Sequence, residues 1–333
     1  MSLSPLISRS LRVGLLTATG VTIAIILLDA NITITKEQEQ QQMMMMMTKI
    51  EKIWETPPEL KAPESVIYSP NENVLFVSNV DGPPDAKDNQ GFISKVSPVN
   101  GSIIELNWVT GLDAPKGMTI VNSNNSKLLY VSDITDLVAI DINNGKIVNR
   151  YKAPGSAFLN DVASDNQGKI YVSDTVENII YRLDTKELGN SSNNNVPLQV
   201  WLKSPELDGP NGLYVDNTNN KLIVVSFGPF NKPGGSIKVV DLQNHTIGSL
   251  GREGTAVPIG GLDGITTDTT GRHYLVTDNA AGRLYVVNSN GTSYETIDLQ
   301  RQGAADLGTI TEENVIIIPM MQDNKLEAYR IMG

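Results

Sequence analysis

The chain has 333 residues, no cysteine and two histidines, and its 26 Lys and Arg against 37 Asp and Glu give a net charge of −11 at pH 7. The lack of cysteine excludes disulfides, thiolate nucleophiles and cysteine-ligated zinc. The acidic balance argues against nucleic acid as a partner, because phosphate binding needs a basic stripe, and it favours a cation or a neutral ligand.

The first thirty residues have the features of a membrane-targeting segment. Arg9 and Arg12 precede an uncharged run from Val13 to Leu28, which ends at Asp29. The run predicts a hydrophobic helix, longer than most signal-peptide apolar regions and just short of a full membrane span of about 17–25 residues. Because the basic residues are N-terminal, the rest of the chain is expected outside the cytoplasm. No small-x-small cleavage site follows, so an uncleaved signal anchor is favoured over a cleaved signal peptide, and both stay open.

Residues 31–48 separate this segment from the body of the chain. They contain the tract Lys36–Met47, which consists mostly of Gln and Met. Low-complexity segments of this kind are typical of tethers. The predicted organisation is therefore a signal anchor or signal peptide at 1–30, a tether at 31–48 and a folded domain at 49–333.

The body of the chain is built from repeats of short β-strands. Runs of Val, Ile, Leu and Tyr are bounded by Gly, Asn, Asp and Pro, and they recur about every 48 residues, which is the size of a four-stranded propeller blade. The repeats begin with the first strands at 63–70, 115–122, 159–166, 210–217, 262–269 and 305–312. Six repeats predict an all-β, six-bladed β-propeller. The segment Ile50–Trp54 is expected to complete the last blade and so to leave no free edge.

Two further features recur with the repeat. The second strands end in aspartates, at Asp133, Asp174 and Asp278, which are expected to accept hydrogen bonds from turn amides. Each first strand carries a polar residue at the same position: Glu64, Lys116, Asn160, Asn211, Asp263 and Asp306. We call these six residues the axial ring, because the innermost strands of a propeller line its central channel.

The composition of the axial ring points to a cation. Six polar groups that converge on one axis need partners, since burying them unpaired is costly. Carboxylate and amide oxygens suit a hard cation such as Ca²⁺ or Mg²⁺, and the absence of His and Cys from the ring argues against a zinc site of the Cys/His type. Lys116 could bind an anionic ligand or pair with Glu64 or Asp306, and the ion pair is the favoured interpretation.

Four short motifs at ring positions resemble those of the senescence-marker-protein, gluconolactonase and luciferin-regenerating-enzyme (regucalcin-like) family. They are Pro63-Glu64, Asn160-Asp161, Pro210-Asn211-Gly212 and Asp263-Gly264, in the family's order, and the resemblance covers about residues 50–331. It implies a six-bladed propeller with one divalent cation at the top of the channel. The ligands would be Glu64, Asn160, Asn211 and Asp263, with Ca²⁺ as the expected ion and Mg²⁺, Mn²⁺ or Zn²⁺ as alternatives. The alternative interpretation is that these Asn and Asp residues only cap strands and turns.

The same resemblance implies a hydrolase of sugar lactones and related esters. The cation would polarise the carbonyl and stabilise the developing oxyanion, and Asp263 resembles the residue that activates the attacking water as a general base. Lys116, Phe158 and Asp306 are expected to bind substrate. Sugar-lactone members carry Arg two residues before the first Asn ligand, where this chain has Phe158. That departure disfavours a highly hydroxylated lactone and favours a more apolar lactone or ester.

A second function stays open. A non-catalytic extracytoplasmic propeller could use the metal structurally and bind a ligand or protein at its mouth, because a fold alone does not define a function. The domain is expected to be monomeric in either case. The loop Asp81–Gly91 is interpreted as a solvated acidic loop, with a lid over the channel as the alternative. His245 and His273 fall outside the ring, which disfavours a His-dependent lactonase mechanism.

Overall fold

A computed structural model of the protein describes residues 49–123, 126–188, 196–251 and 257–332. Within these ranges, 24 strands form six four-stranded antiparallel sheets, so the predicted six-bladed β-propeller is confirmed. The predicted hydrophobic helix at 1–30 and the tether at 31–48 lie outside the described residues. None of the helices that the structure describes has the length and apolarity required to cross a membrane.

The strands follow one another blade by blade, from the channel outwards. Blade 1 contains β2 (Pro63–Ser69), β3 (Val74–Asn79), β4 (Gly91–Val96) and β5 (Ile103–Leu112). Blade 2 contains β6 (Pro115–Ser123), β7 (Ser126–Asp133), β8 (Asp136–Asp141) and β9 (Ile147–Lys152). Blade 3 contains β10 (Leu159–Ser164), β11 (Lys169–Asp174), β12 (Ile179–Asp184) and β13 (Gln199–Lys203).

The second half of the ring repeats this order. Blade 4 contains β14 (Pro210–Asp216), β15 (Lys221–Ser226), β16 (Ile237–Asp241) and β17 (Ile247–Ser249). Blade 5 contains β18 (Leu262–Thr267), β19 (His273–Asp278), β20 (Arg283–Asn288) and β21 (Tyr294–Asp298). Blade 6 contains β22 (Gly308–Ile310), β23 (Val315–Met320), β24 (Lys325–Met332) and, outermost, β1 (Lys49–Glu55). Helical structure in the described part consists of α1 (Thr185–Leu188) and three 3₁₀ turns at Pro205–Leu207, Thr311–Glu313 and Met321–Asp323.

Strand β1 closes the propeller, as the sequence predicts. It pairs antiparallel with β24, with Lys49 opposite Met332. The ring is also closed at the axis, because the Asp306 amide donates a hydrogen bond to the Glu64 carbonyl at 2.9 Å. Blades 6 and 1 are therefore joined at both the outer edge and the centre of the molecule.

The apolar core lies between the blades. Each blade packs on two neighbours, so its middle strands are buried on both faces, and Val74–Asn79 and Val315–Met320 are buried at every position. Tyr130 of blade 2 and Tyr181 of blade 3 belong to one such interblade cluster. Burial on both faces explains why these strands appear in the sequence as apolar runs and not as alternating residues.

The innermost strands of blades 1 to 5 carry a β-bulge at the ring position. In blade 1 the register shifts between Pro63 and Val66, so that Glu64 and Ser65 together face the single residue Ser78. The same shift recurs in the next four blades. A bulge bends a strand and redirects a side chain. The ring residues therefore differ from their strand neighbours in backbone geometry as well as in polarity.

Buried hydroxyl groups stabilise these bulges. Ser173, fully buried in blade 3, accepts a hydrogen bond from the Asp161 amide at 2.9 Å and donates one to the Asn211 carbonyl of blade 4 at 2.7 Å. Thr277 accepts from the Gly264 amide in the same way. Each hydroxyl thus satisfies an amide that the bulge leaves without a strand partner, and Ser173 also connects two blades.

Removing the Ser173 hydroxyl is expected to destabilise the propeller. Ser173→Ala leaves a buried amide and a buried carbonyl without their partner, which costs about 1–3 kcal/mol of unfolding free energy. Chemical denaturation of the variant measures this loss. The control is Ser249→Ala, on the exposed outer strand β17, which is expected to change stability by less than about 0.5 kcal/mol. Equal effects of the two changes would contradict the role assigned to the hydroxyl.

Candidate functional site

All six members of the axial ring are buried, with exposed fractions from 2% for Lys116 to 9% for Asp306. Neighbouring inner strands approach closely because glycines follow three of the ring positions, at Gly117, Gly212 and Gly264. A Cβ atom on Gly212 would lie 2.3 Å from the Asp263 carbonyl oxygen, and one on Gly264 would lie 2.6 Å from the Asp306 Cα atom. Only glycine fits at these contacts, and the contacts bring ring residues of adjacent blades together.

Two ring carboxylates have unpaired oxygens. Four buried side-chain polar atoms in the described part of the chain lack a hydrogen-bond partner, and two of them are Glu64 Oε2 and Asp263 Oδ1. Burial raises the pKa of Glu64 well above its usual range, and the charge of Asp263 adds to that shift. Burial also raises the pKa of Asp263 to about 8, with a smaller contribution from Asp161. A positive ion between these groups would favour their charged forms.

The two ring asparagines are oriented by their amide nitrogens. Asn160 Nδ2 donates to Thr175 Oγ1 at 3.1 Å, and Asn211 Nδ2 donates to the Leu262 carbonyl at 3.4 Å. With the nitrogen committed to the protein, the oxygen is the atom that each side chain can offer to a ligand. Two carboxylates and two amide oxygens form a donor set that suits Ca²⁺ or Mg²⁺. No three His, Cys, Asp or Glu side chains of the described segments are grouped so as to hold an ion, so such a site needs the amides.

Two more carboxylates lie beside this set. Asp161 accepts hydrogen bonds from the Val162 and Leu213 amides, both at 2.6 Å, and burial raises its pKa to about 6. Asp306 accepts from Ser65 Oγ at 2.6 Å, and burial raises its pKa well above the usual range. Both line a cavity of about 300 Å³. The other lining residues follow the ring positions along the inner strands, so the cavity extends away from the mouth. The substrate-binding role of Asp306 stays a prediction.

Lys116 does not form the expected ion pair with Glu64 or Asp306. Within the described ranges, its only ionic or hydrogen-bond contacts are with the carbonyls of Pro84 at 2.8 Å and Ala114 at 3.0 Å. Its Nζ atom also lies 4.4 Å from the centroid of the Phe158 ring. Burial lowers the pKa of Lys116 to about 8. The ammonium group therefore contacts carbonyl dipoles and an aromatic face, and the nearby charge of Glu64 also favours its charged form.

The contact with Pro84 places part of the loop Asp81–Gly91 at the mouth of the channel. The loop connects β3 to β4, and most of its residues, Asp85 and Asp88 among them, are exposed. Lys87 Nζ additionally donates to Thr135 Oγ1 of blade 2 at 2.6 Å. The loop is thus acidic and solvated, as expected, and it also lies over one side of the mouth.

Phe158, which directly precedes β10 in blade 3, also lies at the mouth beside Lys116. The Phe158 and Ala157 amides donate to Asp174 Oδ2, at 3.2 and 2.7 Å, which confirms the predicted role of the strand-ending aspartates in bonding turn amides. Phe158 contacts Phe230 edge to face, with ring centroids 5.6 Å apart, and Phe230 lies at the same distance from Phe227. Sequence reasoning missed Phe227 and Phe230. The only signal for them is the aromatic pair that follows the second strand of blade 4.

Both histidines lie away from the axial ring. His273 Nδ1 is 2.8 Å from Asp268 Oδ2, at the start of β19. The His245 ring packs on Trp201 with a centroid distance of 4.7 Å. The first contact lies at the turn between the two inner strands of blade 5, and the second lies between outer parts of blades 3 and 4. Both agree with the expectation that neither histidine takes part in the ring.

Comparison with known proteins supports the fold but does not assign the chain to a family. No model of a known protein family matches the sequence, and no curated protein matches it either. Solved structures with a similar fold are numerous. Among them, a gluconolactonase from Xanthomonas campestris has a TM-score of 0.57 and 14% sequence identity, over 86% of this chain and 90% of its own. At that identity the likeness shows the fold alone.

The raised carboxylate pKa values predict how stability depends on pH in the absence of divalent ions. Asp263 has a pKa of about 8 in the folded state and about 3.9 when unfolded, so the folded protein binds more protons between these values. Stability is then lost as the pH rises through this range. We expect the melting temperature of the chelated protein to fall by at least about 3 °C between pH 5 and 8.

The matched variant for this measurement is Asp263→Asn, which keeps the shape of the side chain and cannot ionise. It is expected to weaken the dependence of the melting temperature on pH. Glu64, Asp161 and Asp306 shift in the same direction, so some dependence remains. If the melting temperature of the chelated protein instead increased from pH 5 to 8, that result would contradict the burial of these carboxylates without a compensating positive charge.

Proposed function

We propose that the propeller is a divalent-cation-dependent hydrolase of a lactone or ester. The proposal rests mainly on Glu64 Oε2 and Asp263 Oδ1, which are buried on neighbouring parts of the axis without a hydrogen-bond partner. Structural carboxylates in a fold are normally satisfied by hydrogen bonds, and the strand-ending aspartates of this protein are. Two unsatisfied carboxylates beside two oriented amides are better explained by a ligand that they share.

Glu64, Asn160, Asn211 and Asp263 would hold the cation, with Ca²⁺ as the first expectation. When bound, the ion supplies polarisation of the substrate carbonyl and stabilisation of the oxyanion. Asp263 would accept the proton of the attacking water on the carboxylate oxygen that does not hold the ion. Lys116, with a partly satisfied ammonium group at the mouth, binds the polar end of the substrate and the carboxylate that hydrolysis produces.

The fold is consistent with this chemistry, because a propeller of the same architecture is described as a gluconolactonase. The four motifs at ring positions support a resemblance to gluconolactonase-like proteins more specifically than the fold does. We also propose, from the sequence of residues 1–30 alone, that the enzyme acts outside the cytoplasm as an anchored or secreted protein, and that the propeller is monomeric.

The proposed activity is tested on the purified full-length protein in detergent with a panel of γ- and δ-lactones and aryl esters. Turnover is expected to require a divalent ion, to stop on chelation and to return with Ca²⁺. Asp263→Asn is expected to lower kcat at least about 100-fold, which is typical for loss of a general base. The control is Asp298→Asn, an exposed position on the outer strand β21, which should keep full activity.

Two other outcomes would contradict the proposal in different ways. Turnover that persists after chelation would exclude the cation from the reaction. A Ca²⁺-dependent rise in melting temperature that Asp263→Asn abolishes, without turnover of any lactone or ester, would instead support a non-catalytic propeller with a structural ion.

A further inference from the structure

We infer that Phe158, Phe227 and Phe230 form the binding site for an aliphatic chain of the substrate, so that the natural substrate is a lactone or ester with an apolar acyl or alkyl group. This inference rests on the proposed hydrolase function and specifies its substrate class. The three residues are called the aromatic row below.

The aromatic row extends from the channel to solvent, with Phe158 and Phe227 at its inner end and Phe230 in contact with both at its outer end. Phe158 and Phe227 are partly buried, whereas Phe230 has 56% of its surface exposed. Consecutive ring centroids are 5.6 Å apart, with interplanar angles of 74° for Phe158–Phe230 and 57° for Phe227–Phe230. Tilted rings at this spacing present faces and edges to the solvent side, and a flexible chain can lie against both.

The inner end of the aromatic row touches the candidate site. The Phe158 ring lies 4.4 Å from Lys116 Nζ, and a Cβ atom on Gly261 would lie 3.1 Å from Phe227 Cε2. Gly261 is two residues before Asp263. A substrate whose carbonyl lies at the axial ring can therefore extend its chain along the aromatic row without leaving the protein surface.

Other exposed apolar residues lie on the same face of the propeller. Val176 follows β11 at the end that pairs with the start of β10, and Ile259 precedes β18; their exposed fractions are 47% and 69%. Both belong to blades 3 to 5, which also carry the aromatic row. The acidic loop Asp81–Gly91 reaches the mouth from blade 1 and contacts Lys116 beside Phe158. An apolar surface thus adjoins a polar one at the mouth, which can orient an amphiphilic substrate.

The chemistry of the aromatic row distinguishes substrates. A hydroxylated chain would lose hydrogen bonds to water against phenylalanine rings and gain none. A methylene group that leaves water for the same surface is stabilised by about 0.8 kcal/mol, which corresponds to about a fourfold gain in kcat/KM. With partial burial, we expect a two- to fourfold gain for each added methylene until the chain passes Phe230.

The test measures kcat/KM of the full-length, Ca²⁺-loaded protein for γ-butyrolactone, γ-hexalactone, γ-octalactone and γ-decalactone, with glucono-δ-lactone as the hydroxylated comparison. Wild-type protein is expected to prefer the longest chain by at least tenfold over γ-butyrolactone. Phe230→Ala is expected to reduce that ratio at least threefold, and Phe230→Leu to keep most of it. The matched control is Tyr294→Ala, an exposed aromatic on the outer strand of blade 5, which should leave the ratio unchanged.

A second measurement separates failure of this inference from failure of the proposed function. Calorimetry measures the binding of N-alkyl-2-pyrrolidinones to the same variants. These compounds are five-membered lactams, similar in shape to a γ-lactone, that are not hydrolysed. Lactone turnover without any preference for chain length would overturn the inference and leave the hydrolase function standing. Chain-dependent binding that Phe230→Ala weakens, in a protein that hydrolyses no lactone, would support the aromatic row and contradict the function. Binding that does not depend on chain length would overturn the inference whether or not turnover is seen.

Discussion

The main physical constraint on this structure is that several carboxylates are buried on the axis of a closed ring, where burying like charges is costly. Propeller closure brings six inner strands so close that glycine is needed at Gly212 and Gly264, and it buries the ring side chains. Four carboxylates, those of Glu64, Asp161, Asp263 and Asp306, meet there with a single lysine, and the pKa of each carboxylate is raised. Buried charges are costly unless they are paired. A ligand that pairs with these carboxylates, as in the proposed function, would offset that cost.

The fold supports this arrangement with parts that have no direct role at the site. The bulges at the ring positions of blades 3 and 5 each free an amide, which the hydroxyls of Ser173 and Thr277 satisfy. The same hydroxyls donate to carbonyls of the following blade. The positions of the ring side chains in these blades are therefore coupled to those of their neighbours. Rigid positioning of this kind is what a binding or catalytic group requires, because small displacements of ligating oxygens are expensive.

The features that repeat along the chain could be predicted from the sequence, and the others could not. The blade number, the closing strand β1 and the buried ring positions follow from periodicity, because equivalent residues occupy equivalent places. Ser173, which directly precedes the strand-ending Asp174, belongs to the same recurring pattern, so the role of its hydroxyl could be predicted in the same way as that of the aspartate. Lys116 was expected to pair with a carboxylate, and its contact with Pro84 depends on the shape of a loop that no repeat specifies. Phe230 likewise belongs to an irregular loop, so nothing in its neighbours' spacing places it beside Phe158.

Lys116 and Phe158 are best understood as an interacting pair. An arginine at position 158 would bring a second cation to where the ring now lies 4.4 Å from the ammonium group. Two positive charges at such a distance repel each other, and burial strengthens the repulsion. The aromatic face instead stabilises the ammonium group by about 0.5–2 kcal/mol. In the proposed function, Lys116 would supply the positive charge that recognises the polar end of the substrate, and the Phe158 side of the mouth would stay apolar.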